Sequence, residues 1–555
     1  MNKKVCSFPI LFALLALLIG TCAVVFPASA QAAPTSTGSI TVSGTVARSY
    51  DAYQIFSANV VDGDSDAKIA TDLAWASDAV RDAVLPVLHS AGMPNSQTTA
   101  QEAAEWLNTD SHLTSALSTQ LARSLQSSGA VPVALNAGTA AELSCGYWLI
   151  VADDAIAQGE ADTAPIMALV GGNAVTVKPK AATPKVAKHV LEDSAAAWQK
   201  AADATVADDL YWRLSATVPA GLAAYDTYAV QFVDTMSAGL DPSKVAESMR
   251  IYVAAGADGD FDAVPAGKDG RAGTEPARGW TDITAQCATK VAADGKTFTV
   301  RTGDLIAALG GADAFTAGAR VVAVYNAPLS SACNHGIAKG NPNEVYLRYP
   351  RSPFADQSGD AGFTRTPSDD ACAYTWDLAL TKRGSDGDKP LAGAVLSIAD
   401  DRGRTLAADG TWDAEGKATV TTGENGRVTV SGVDSGKLEV REPKAPKGYT
   451  AFEGTRSVTV KAEGLDVDQV AAAKPKLTVT AESPLRADSA DGSTGSLEAS
   501  LINTPAGTPP SIFTGGFMPS TGDMAMFTAA AVAVVGAALI VVALLVKRGD
   551  GSHKE

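Results

Sequence analysis

Several polar residues of this chain fall on strand faces that are otherwise apolar. Alternate side chains of an extended segment share a face. Leu378, Leu380 and Lys382 of WDLALTK therefore point one way, as do Leu438, Val440 and Glu442 of KLEVRE, and Leu497, Ala499, Leu501 and Asn503 of LEASLIN. An earlier stretch repeats the arrangement with Val186, Lys188 and Val190, then Tyr228, Val230, Phe232 and Asp234, then Asn343, Val345, Leu347 and Tyr349. Asn341 shares the parity of Asn343 and stays open as the alternative.

Each set holds an amine, a carboxyl and a carboxamide. Burial disfavours the charged ammonium and lowers its pKa, while the same surroundings keep a carboxylic acid protonated. A neutral amine beside a carboxamide is a nucleophile facing an electrophile, and the acid can polarise the carbonyl and move protons. The product would be a Lys–Asn isopeptide bond with release of ammonia. Such a bond from the first strand of a domain to its last would resist unfolding under pull, as a disulfide does. The plain structural alternative is a lysine at a strand end whose head reaches water. Two complete sets, each within its own domain, outweigh it.

The elements that must position these residues are mostly strands. Short alternating runs recur through 186–350, among them LYWRLSATVP, MRIYVAA, KTFTVRT and ARVVAVYNA, and again from Tyr374 to Asn503. That pattern predicts β-sandwiches. The stretch before them also opens with strands (Gly38 to Phe56) and closes with strands (GYWLIVA, PIMALVG, NAVTVKP). Its residues 66–128 are rich in Ala, Leu, Gln and Glu at helical spacing, so this domain reads as a sheet with a helical insertion. The fold class is mainly β, with tandem sandwiches and an α+β first domain. KPKAATPK, at 178–185, is the first joint.

The ends carry addresses rather than fold. A basic start, an apolar run from Phe8 to Phe26 and the small residues Pro27-Ala28-Ser29-Ala30 predict a secretory signal peptide. Met524 to Val546 is apolar and long enough to cross a bilayer, and Lys547 and Arg548 follow it, which keeps the tail on the cytoplasmic side. The expected organisation is a signal peptide at 1–30, a first domain at 31–180 and sandwiches at 181–365 and 366–505. A terminal region at 506–555 carries a spacer, the motif Met518-Pro519-Ser520-Thr521-Gly522, the apolar run and the basic tail. A net charge of −17 over 555 residues argues against nucleic acid as a partner.

These residues resemble the sortase-assembled backbone pilins of Gram-positive bacteria. LALTKRGSDGDKPLAGAVLSI and GRVTVSGVDSGKLEVREPKAPKGYT are similar to the opening and closing elements of a CNA-B-type (SpaA-like) domain, and LINTP supplies its terminal Asn503. PKVAKHV, VDTMSAGL and GNPNEVYLRYP resemble an isopeptide-forming fimbrial D2 domain. The resemblance implies three tandem Ig-like domains and bonds Lys188–Asn343 and Lys382–Asn503, with Asp234 and Glu442 as the promoting acids. It makes MPSTG a variant of the LPxTG sorting signal, cleaved by sortase between Thr521 and Gly522. Lys180 of AVTVKPK would be the amine that joins the next subunit, with Lys178 the alternative. The implied partners are sortase, identical subunits, and peptidoglycan or a basal pilin. A non-polymerised wall-anchored adhesin, binding a host-surface receptor through its first domain, is the competing reading. No enzyme activity beyond self-cross-linking is expected.

Four cysteines remain after the signal peptide and allow three pairings; Cys287 with Cys333 is preferred because both fall in one domain. No cofactor is expected. No metal is expected either, since CxxC and HxxxH spacings are absent. The acidic turns DGDSD (62–66) and DGDFD (258–262) lack the Gly and Glu of a calcium loop. Arg548-Gly549-Asp550 follows the membrane-length run.

Overall fold

The computed structural model describes residues 36–507, apart from 45–47, 64–66, 110–111, 154–159, 162–163, 180–182, 220–221 and 257–278. The expected signal peptide, Lys180, the acidic turn at 258–262, the MPSTG motif and the apolar run at 524–546 lie outside the described residues. No helix among the described residues is long and apolar enough to cross a membrane.

Alternation in sequence becomes alternation in burial. Along the strand Asn341–Pro350, residues 341, 343, 345, 347 and 349 are buried while those between them are exposed or half-buried. The strand Arg427–Val433 does the same. Fully burying a Val, Leu or Phe is worth about 1.5–3 kcal/mol, so a one-residue slip that turned such a face to water would be costly.

The first body has three layers. A five-stranded sheet, built on the long strand Ser49–Asp62, carries helices Asp78–Ser90, Ala100–Asn108 and Ser115–Ser127 on one face. On the other face lies a three-stranded sheet of Thr37–Val42, Ala140–Ser144 and Val175–Val177. The helices start where Ser77, Thr99 and Thr114 accept hydrogen bonds from main-chain N–H groups of the first turn, and Thr99 with Glu102 completes a capping box. The helical insertion begins later than the composition of 66–128 suggests. Lys68–Trp75 is a strand paired with Phe56–Asp62, because Ile69 and Thr71 suit an edge strand and the first capping residue is Ser77.

The middle body packs a six-stranded sheet, which includes Val186–Glu192, Tyr211–Thr217 and Arg320–Asn326, against a seven-stranded sheet. The second sheet holds Gln231–Met236, Thr297–Arg301, Asn341–Pro350 and Asp369–Tyr374. The last of these strands departs from the expected boundary at 365. Asp369–Tyr374 pairs with Asn341–Pro350 and with Ala201–Asp203, so the middle body runs to Tyr374. Asn343 therefore does not lie on that body's last strand. The Gly/Ser/Asp-rich composition of 352–370 hid a strand whose buried part, Ala371–Tyr374, comes at its end.

The third body is also two-layered. Its five-stranded sheet centres on Trp376–Gly384 and Ser496–Pro505, its first and last strands, which run parallel side by side. Its seven-stranded sheet centres on Val395–Ala399, Gly436–Lys444 and Arg456–Glu463.

The middle and third bodies are joined by more than the chain. Asp203 Oδ2 accepts bonds from Trp376 Nε1 and Ser435 Oγ, both at 2.5 Å, and Asp208 takes Arg404 Nη1 at 2.6 Å and Arg402 Nη1 at 2.9 Å.

Candidate functional site

Two buried polar clusters lie inside apolar cores. Lys188, Asp234 and Asn343 are each 0% exposed, and Lys382, Glu442 and Asn503 are 1%, 6% and 2% exposed. None of these heads reaches water as a strand-end lysine would.

In the middle body the cluster spans the two sheets. Lys188 comes from Val186–Glu192 in one sheet; Asp234 and Asn343 come from neighbouring strands of the other. Facing sheets lie about 10 Å apart, so a long side chain must cross to meet two short ones. Lys188 Nζ donates to Asp234 Oδ2 and, at 2.9 Å, to the hydroxyl of Tyr325. Tyr325, on Arg320–Asn326 of the lysine's sheet, donates to Asp234 Oδ2 at 3.1 Å and accepts from Asn343 Nδ2 at 2.8 Å. Trp212 and Tyr325 present their rings to Nζ at 5.5 Å, and Phe298 meets Tyr325 edge to face at 4.8 Å. The carbonyl Oδ1 of Asn343 and Oδ1 of Asp234 are buried and accept no hydrogen bond from the described residues.

Asn341 is engaged elsewhere. Its Oδ1 accepts from Asn334 N and its Nδ2 donates to Asn334 O and Ala373 O, which ties down the preceding loop. Of the two candidates, Asn343 is the one that shares the Tyr325 hydroxyl with Lys188.

In the third body the cluster is built differently. Lys382 and Asn503 lie on the adjacent parallel strands, where Lys382 pairs with Leu501 and Gly384 with Asn503. Lys382 Nζ donates to Asn503 Oδ1. Glu442 reaches across from the other sheet, 3.1 Å from Nζ, and both its oxygens accept from Asn503 Nδ2 at 2.9 Å. Gly426 has φ +70°, and a Cβ there would come within 2.7 Å of Leu391 N and 3.0 Å of Lys382 O. Only glycine fits the turn that carries the Gly426 O···H–N Lys382 bond, 2.8 Å long, and so holds the lysine's backbone.

Burial sets the electrostatics. It pulls the Lys188 amine from 10.5 down to about 8, with Asp234 opposing the shift, and pulls Lys382 down to about 8 against Glu442. Burial also raises the Asp234 carboxyl despite Lys188, and raises the Tyr325 hydroxyl well above its usual range. In the middle body, amine and acid are thereby brought toward the neutral pair in which nitrogen can attack.

The sequence reading missed Tyr325. Its signal was available, since ARVVAVYNA is a strand and a tyrosine hydroxyl buried in a core needs a partner, but nothing in the sequence says which strand faces Lys188. The reading also missed Asp369, whose Oδ2 accepts from the main-chain N–H of Lys188 at 2.7 Å and from Lys200 Nζ.

The expected Cys287–Cys333 disulfide is not formed; both thiols are free. Cys287 precedes the edge strand Ala288–Val291 and its Sγ donates to Ile283 O, whereas Cys333 lies in the loop beside Gly239 that leads to Asn341. Membership of one body does not bring two sulfurs within bonding range. Lys178, the alternative to Lys180, is exposed just after Val175–Val177. Among the described residues no group of three His, Cys, Asp or Glu is arranged to hold a metal.

Residues 377–474 match the family of the SpaA prealbumin-like fold domain. The chain is 30% identical over 129 residues to the trypsin-resistant surface T6 protein of Streptococcus pyogenes serotype M6, a match spanning 22% of this chain and 22% of that protein. Among solved structures, the T6 backbone pilin of serotype M6 S. pyogenes aligns with 85% of this chain and 98% of its own, at 17% identity and a TM-score of 0.45. The major pilin SpaA of Corynebacterium diphtheriae aligns with 85% and 100%, at 14% identity and a TM-score of 0.37. The segment that holds Lys382 and Glu442 therefore matches the SpaA prealbumin-like fold domain, in a chain similar over 129 residues to a streptococcal surface protein.

Proposed function

We propose that the chain is a structural subunit of a covalently polymerised cell-surface pilus. Sortase joins Thr521 of one subunit to Lys180 of the next, and peptidoglycan or a basal pilin receives the last one. Each shaft unit is stiffened by two intramolecular bonds, Lys188–Asn343 and Lys382–Asn503. The observation that carries this reading is the repeated burial of a complete amine, acid and carboxamide set in successive sandwiches. A structural role alone would be better served by apolar residues, because removing two charges from water costs several kcal/mol per ion.

The third body supports a direct chemical route. Glu442 takes one proton from the Lys382 ammonium, and the neutral Nζ attacks Asn503 Cγ. A Cγ–Nζ bond forms while Nδ2, held by Glu442 at 2.9 Å, receives a second proton of lysine origin through the carboxyl. The Cγ–Nδ2 bond then breaks and ammonia leaves. No external reagent enters the balance.

The polymer claim is tested on cell-wall extracts boiled in detergent. A ladder of high-mass species that collapses in Lys180→Ala supports head-to-tail linkage. A single band in both forms favours the wall-anchored adhesin instead.

A further inference from the structure

The two clusters differ in how the acid reaches the amide nitrogen that must leave. In the third body, Glu442 itself holds Asn503 Nδ2, with both oxygens at 2.9 Å. In the middle body the acid is an aspartate, one methylene shorter, and Asn343 Nδ2 donates instead to the Tyr325 hydroxyl at 2.8 Å. That hydroxyl is also 2.9 Å from Lys188 Nζ and 3.1 Å from Asp234 Oδ2, so one oxygen touches nucleophile, acid and leaving group.

We propose that Tyr325 is a catalytic residue of the middle body, relaying a proton from Asp234 to the departing nitrogen of Asn343. This rests on the Lys188–Asn343 bond of the proposed function. The sequence of transfers balances. Asp234 takes a proton from the Lys188 ammonium. The freed amine attacks Asn343 Cγ, and the tetrahedral adduct still holds Nδ2. Tyr325 gives its hydroxyl proton to Nδ2 and is refilled by Asp234, whose vacated oxygen accepts the remaining surplus proton of Nζ. The Cγ–Nδ2 bond breaks, ammonia leaves, and both tyrosine and aspartic acid end protonated. A phenol buried as deeply as Tyr325 stays neutral, which suits a relay that must both donate and accept. Its ring is fixed against Phe298, so the hydroxyl does not search for its partners.

The test is Tyr325→Phe in the full chain, made by cell-free synthesis, with each bond followed over time by peptide-mapped mass loss. The ring and its packing remain, formation of the Lys382–Asn503 bond in the same molecule reports that the third body folds, and rescue by a longer acid reports the same for the middle body. Loss of a general acid costs roughly 100-fold or more in rate, so the middle bond is expected to lag by about that factor while the third forms at the wild-type rate. Asp234→Glu placed on the Tyr325→Phe background lengthens the acid as in the third body and is expected to recover most of the rate. An unchanged middle rate in Tyr325→Phe overturns the relay and leaves the cross-link intact. A slow Tyr325→Phe that the longer acid does not rescue overturns it as well, since the hydroxyl would then act only on structure. A wild-type chain that never loses ammonia at Asn343 removes the underlying reading and the relay with it.

Discussion

Glu442→Ala offers the sharpest test of the cross-link, because its effect can be counted in residues. Lys382 and Asn503 are 121 positions apart and lie side by side on parallel strands. Tension applied through the chain enters the third body at Trp376 and leaves after Asn503. With the bond formed, load passes from Lys382 to Asn503 and the intervening chain stays out of the path. Without it, a 121-residue segment extends to about 400 Å at the reach of roughly 3.3–3.6 Å per residue. Single-molecule pulling on Glu442→Ala should thus show an unfolding step of about 400 Å that the wild-type chain lacks. Closing a loop of that size also removes denatured-state entropy worth about 5 kcal/mol. Thermal melting is a poorer assay, because the substitution also strands the Lys382 amine in the core, at a further cost of about 3–5 kcal/mol. Extension counts residues and is blind to that cost. A wild-type chain that yields the same long step as Glu442→Ala refutes the reasoning.

Further expectations concern the middle body and its junction. Asp234→Ala should leave a chain that has lost one ammonia where the wild type has lost two, read by intact mass. Formation of both bonds in newly made chain should be nearly independent of pH from 6 to just below 8 and slow above it, because each amine hands its proton to the acid of its own cluster and amines lowered to about 8 lose that shared proton to solvent only beyond that value. A rate that climbs about tenfold per pH unit over that span would contradict proton transfer within the cluster. Glu192, packed against Asp203 and Ser194 at the junction with the third body, is raised by burial to about 7. Its folded form binds the proton more tightly than its unfolded form, so its contribution is complete below about 4.5 and is lost as pH rises through about 7. The melting temperature should fall between pH 5 and 8, and Glu192→Gln should flatten that slope; Asp193 and Asp434, whose carboxyls burial also raises, set the remainder. Reducing agent should leave the melting temperature unchanged, since Cys287 and Cys333 hold no bond to break.

The parity of strands was legible in the chain because a period of two survives any packing that buries one face. It placed Lys188, Asp234, Asn343, Lys382, Glu442 and Asn503 inward, and the structure buries all six. Local signals also marked the helical insertion, though Lys68–Trp75 became a strand through pairing with Phe56–Asp62. What parity cannot supply is which inward residues meet. Asn341 and Asn343 are equivalent by pattern; the loop bonds of Asn341 to Asn334 separate them. Tyr325 enters the middle cluster because Arg320–Asn326 lies two strands from Lys188 in the same sheet, an order set by long-range pairing. The same pairing assigns Asp369–Tyr374 to the middle body and keeps Cys287 away from Cys333. Sequence alone determined the chemistry each core could hold, since residue type and face are local properties. The tertiary structure decided which of those residues meet, because strand order and the gap between facing sheets are properties of the whole chain.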